Sequence, residues 1–92
     1  MGLSEQLPQR NEQQSAAELA EEARKLRRLQ IMVSMVMSVI AQDPELTVEE
    51  ASEMVANTRR AALVMFPGKE LAYDLIYRPR FQRLLAERYR IQ

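Results

Sequence analysis

The residues of this chain that could do chemistry are basic and aromatic, and they crowd its last third. Arg59, Arg60, Lys69, Arg78, Arg80, Arg83, Arg88 and Arg90 interleave with Phe66, Tyr73, Tyr77, Phe81 and Tyr89, which are all the aromatic residues the chain has. Guanidinium groups can neutralise phosphates, and tyrosine rings can stack on bases. Arginine and tyrosine are also the residues that most often anchor protein interfaces. From Met54 to Gln92 eight Lys/Arg stand against three Asp/Glu, and from Met1 to Glu53 five stand against ten. A chain with a net charge of zero is therefore an acidic half joined to a basic, aromatic half. Such halves can attract each other or an outside partner.

Other chemistries lack their residues. There is no cysteine and no histidine, so thiolate sites, disulfides, the usual general base and the commonest metal ligand are all missing. Serine and threonine have no base to activate them. Asp43, Glu45, Glu49, Glu50 and Glu53 lie close together, but Pro44 and Leu46 interrupt them and no glycine makes the turn that a calcium loop needs. Pro67-Gly68-Lys69 has one glycine and no preceding strand, so it reads as a helix-to-helix turn and not as a phosphate loop. The expectation is a chain without catalytic residues, metal or cofactor.

The elements that must position the basic and aromatic residues are helices. Ala, Leu, Glu, Gln, Arg and Met dominate, and β-branched residues never alternate with polar ones over a strand length. The first helix is expected from about Ala16 to Gln42. Its seam is Leu19, Leu26, Leu29, Val33, Val36 and Ile40, broken only by Glu22. Beyond Leu29 the apolar surface widens to Ile31, Met32, Met35, Met37 and Val39, which reads as a helix buried on most of its circumference. Asp43-Pro44 ends it. Thr47-Val48-Glu49-Glu50 is a capping box opening a second helix, with Val48, Ala51, Val55, Ala62, Met65 and Phe66 as its buried stripe. Pro67-Gly68 stops that helix. A short third helix, Lys69 to Tyr77, is expected to bury Leu71, Leu75 and Ile76 and to carry Tyr73 and Tyr77 on an adjoining line. Pro79 opens a fourth helix, with Phe81, Leu84, Leu85 and Ile91 inward and arginines outward.

The pattern predicts an all-α fold: a small helical bundle with one long N-terminal helix, a second helix and two short C-terminal helices. Residues 1–15 read as a disordered tail and 16–92 as a single domain. Arg24, Lys25, Arg27 and Arg28 ahead of an apolar run have the order of parts of a signal peptide. However, they follow an acidic segment, and the run from Leu29 to Ala41 is 13 residues, short of the roughly 20 that span a bilayer. A cytoplasmic chain without a membrane span is expected. A helix of about 40 Å from Ala16 to Gln42 outruns a bundle of this size, so a homodimer through the first helix is expected as well. The function expected is a non-catalytic adaptor or regulator that docks a protein partner through Tyr73, Tyr77, Arg78, Arg80, Arg83, Arg88 and Arg90. The alternative use of those residues is nucleic-acid binding, against which the near-neutral pI of 6.3 counts.

Overall fold

The computed structural model describes the backbone of residues 2–90 and the side chains of residues 15–90. The tail expected over residues 1–15 and the inward Ile91 thus fall largely outside the described side chains. Four helices follow in order: α1 (Gly2–Gln42), α2 (Val48–Met65), α3 (Glu70–Ile76) and α4 (Arg78–Arg88). The fold is all-α. Three helix boundaries follow the stop and start signals of the sequence, but α1 opens at Gly2 and not near Ala16. The added stretch is rich in Gln, Glu and Leu, which favour helix, with Pro8 the exception.

Each connection has a local cause. After α1, the Glu45 amide donates to Asp43 Oδ1 at 3.0 Å, a side-chain turn that leads into Thr47. The capping box is complete. The Glu50 amide donates to Thr47 Oγ1 at 3.1 Å, and the Thr47 amide donates to Glu50 Oε1 at 2.9 Å. After α2, Gly68 takes a φ of 77°, which a side chain would make costly. Between α3 and α4 the chain hardly leaves helical geometry. The Tyr77 amide donates to the Tyr73 carbonyl at 2.8 Å and the Phe81 amide to the Tyr77 carbonyl at 3.1 Å. Pro79 sits in the first turn of α4, where its missing N–H costs nothing.

The core gathers Leu29, Val33 and Ile40 from α1, Ala51, Thr58 and Ala62 from α2, Tyr73, Tyr77 and Phe81. Ile40 and Phe81 are the largest side chains fully buried. Thr58 satisfies its hydroxyl by donating to the Met54 carbonyl at 2.8 Å. Where α4 ends, Tyr89 Oη donates to the Leu46 carbonyl at 2.7 Å and Arg88 Nη2 to the Asp43 carbonyl at 2.9 Å. These bonds fasten the last helix to the α1–α2 connection.

The bundle is one-sided along α1. The described side chains from Ser15 to Arg24 are all exposed, and the first buried one is Leu29. The molecule measures 70 × 19 × 17 Å with a radius of gyration of 18.8 Å, against about 12 Å for a compact chain of this length. The N-terminal part of α1 is thus an arm that projects beyond the other helices. Nor is the rest of α1 covered all round, as the sequence suggests. Ile31, Met35 and Val39 remain exposed on it, because α2 and α4 pack along one side.

Candidate functional site

Helix α3 sits with the opposite face inward from the one expected. Tyr73 and Tyr77 are 6% and 7% exposed, whereas Leu71 and Leu75 are 73% and 69% exposed. The two tyrosine rings lie 5.3 Å apart, tilted by 37°, and bury more area than the leucines would. Asp74 fixes the rotation. Arg59 of α2 donates from Nε to Asp74 Oδ1 at 2.9 Å and from Nη2 to Oδ2 at 3.1 Å, a two-pronged ion pair of the strong kind. The hydrogen bond from Arg59 holds the Asp74 carboxyl below the ordinary carboxylate range. The same bond raises the Arg59 guanidinium.

The tyrosines expected to meet a partner are therefore core residues. Burial pushes the Tyr73 hydroxyl above its usual pKa, and that hydroxyl has no hydrogen-bond partner among the described residues. The arginines divide. Arg78, Arg80, Arg83 and Arg90 are exposed, with the Arg80 guanidinium 5.9 Å from the centre of the Tyr77 ring. Arg88 is half-buried and occupied by the Asp43 carbonyl and by the Tyr89 ring, 4.9 Å away. It holds the fold together and is not free for a partner.

What the structure brings together instead is aliphatic. No Cα of α3 lies within 8 Å of one in α1 among the described residues. The gap is a groove of about 330 Å³. Leu26 and Leu29 of α1 form one wall, Leu63 and Phe66 of α2 the floor, and Ala72 and Ile76 of α3 the other wall, with Glu22 and Lys69 among its lining. A second hollow lies toward the other end of α1, where Met37 and Ala41 meet Leu84 of α4 beside Arg80 and Arg83. The signal for the groove is present in the sequence, since Leu19 and Leu26 belong to the seam but lie N-terminal to the bundle. Leu19 is 65% exposed.

Among the described residues no cluster of three or more acidic, histidine or cysteine side chains can hold a metal, and no helix is long and apolar enough to cross a membrane. No known protein family, curated protein or solved structure matches this chain.

Proposed function

We propose that this chain is a non-catalytic helical interaction module that self-associates through α1 and docks a protein partner. The observation that carries this reading is the aliphatic surface left outside the fold. Ile31, Met35 and Val39 stand four residues apart on α1, and Leu71 and Leu75 stand four apart on α3, all exposed. Side chains at that spacing share one face of a helix. Covering them gains about 25 cal/mol per Å², and contiguous exposed apolar patches mark interaction sites. Arg78, Arg80, Arg83 and Arg90 contribute as a charged rim that selects and orients the partner. Tyr73 and Tyr77 contribute by setting the rotation of α3.

Light scattering across a concentration series tests self-association. A mass approaching twice the 10.7 kDa of one chain is expected, and a monomer at every concentration refutes it. For the partner, the comparison is retention of cell proteins by the native chain and by a Leu71→Glu/Leu75→Glu variant of equal helicity. Proteins held by the first and lost by the second are expected; identical retention refutes the α3 surface.

A further inference from the structure

The arm and the groove are complementary, and among the described residues neither is covered within one chain. The arm is helical and exposed, and it carries Leu19 seven residues before Leu26, on the same seam. The groove opens beside that seam, with Leu26 in its wall. Because both features sit around residues 19–29 of one helix, a single two-fold axis can satisfy both. Two α1 helices running antiparallel about a point between Glu22 and Ala23 bring Leu19 of each level with Leu26 of the other. They also lay residues 16–23 of each arm into the groove of the other.

Charge favours the same arrangement. Met1 to Glu22 contains five Glu and one Arg. The stretch of α1 that follows, beside the groove, contains Arg24, Lys25, Arg27 and Arg28, and the groove lining holds Lys69 as well as Glu22. An antiparallel arm brings Glu18 level with Arg27 and Glu21 level with Arg24 of the other copy, while the two Glu22 residues flank the two-fold axis. A parallel pair would place the acidic arms side by side.

We infer that the groove between α1 and α3 is filled by the α1 arm of a second copy of this chain, antiparallel and centred between Glu22 and Ala23. This rests on the self-association through α1 proposed above and places it on the Leu19–Leu26 side of that helix, opposite the Ile31, Met35 and Val39 line, which stays open to a further contact. The chain has no cysteine, so single-cysteine variants report the register directly. Leu19, Leu26 and Ile76 are all exposed in the single chain, so replacing them spares the core.

In an antiparallel pair each Leu19 lies about 10 Å along the axis from its own counterpart, beyond the roughly 7 Å between Cα atoms that a disulfide bridges. Leu19→Cys mixed with Leu26→Cys and oxidised with glutathione should therefore give the mixed disulfide several-fold over either homodisulfide. Leu19→Cys mixed with Ile76→Cys should also cross-link, because the arm passes the α3 wall. Homodisulfides in excess mean a parallel pair and overturn the inference. A link between positions 19 and 26 without the link to position 76 means pairing outside the groove and overturns it too. If light scattering shows a dimer and neither mixture cross-links, this geometry fails while self-association stands. If it shows a monomer throughout, both fail.

Discussion

Removing one oxygen atom from Tyr73 should stabilise this protein. The Tyr73 hydroxyl is buried and has no hydrogen-bond partner among the described residues, so folding strips it of water and returns nothing. Such a group costs about 1–3 kcal/mol. Tyr73→Phe removes the cost and keeps the ring, which packs 5.3 Å from Tyr77. A gain of about 1 kcal/mol is expected. For a chain of this size the slope of stability against urea is about 1 kcal/mol per M, so the unfolding midpoint should rise by about 1 M. In a thermal scan the same gain is worth about 4–8 °C. Both are read at one protein concentration, because self-association makes stability concentration-dependent. Tyr89→Phe is the matched control. Its hydroxyl donates to the Leu46 carbonyl at 2.7 Å, so the same chemical change should cost about 1 kcal/mol. A second readout is alkaline pH. Burial raises the Tyr73 pKa, so the folded state resists its ionisation and loses stability as pH climbs above the ordinary tyrosine value of about 10. Tyr73→Phe should flatten that loss. If Tyr73→Phe lowers the urea midpoint as Tyr89→Phe does, the hydroxyl has a partner and the reasoning is wrong.

Three further outcomes are expected. Asp74 titrates below its ordinary value because of Arg59. Its contribution is present above the usual carboxylate pKa of about 4 and lost as pH falls through the lowered one, so thermal scans of Asp74→Asn should show a shallower acid decline than the native chain. Thr47→Ala removes one half of the capping box and should cost about 0.5–2 kcal/mol in urea unfolding, with the loss largest in α2 by amide exchange. In a mobility-shift assay at low salt, micromolar protein should retard neither duplex nor single-stranded DNA; a shift that vanishes steeply with salt would transfer the arginines to phosphate binding.

How far the sequence could be read depended on how redundant its signals were. α2 was legible because a cap, an acidic first turn and a Pro-Gly stop agree on its bounds. The seam of α1 was legible from spacing alone, and Leu29, Val33 and Ile40 are buried as it requires. α3 was not. In a helix of 7 residues, Leu71/Leu75, Ala72/Ile76 and Tyr73/Tyr77 are neighbouring apolar lines, and periodicity cannot rank them. The choice was made by the Arg59–Asp74 pair, whose members lie 15 residues apart in sequence, and by the larger area of the tyrosines. Tyr73, Tyr77 and Arg88, expected on a partner surface from arginine and tyrosine content, went into the fold for a like reason, while Arg78, Arg80, Arg83 and Arg90 are exposed. Composition identified adhesive residues without saying that the fold itself uses Tyr73, Tyr77 and Arg88.

The division of charge along the chain has a sharper meaning once the helices are in place. The sequence invites the thought that arginines of the basic half pair with acidic residues of the first two helices. The described ion pairs do otherwise. Arg24 bonds Glu21 within the arm at 2.6 Å, and Arg59 of α2 bonds Asp74 of α3. Neither joins the acidic arm to the basic C-terminal helices. Arg88 reaches the α1–α2 connection through a backbone carbonyl and not a carboxylate. Within one chain the two charged ends also stand apart, because the arm projects from a body only 19 × 17 Å across, and screening limits their attraction to about 8 Å at physiological salt. Among the described residues that attraction makes no contact within one chain. A helix as exposed as the arm is from Ser15 to Arg24 is marginal in water. Burial of its one leucine stripe and neutralisation of its glutamates are the two terms that would hold it, and one antiparallel neighbour would supply both.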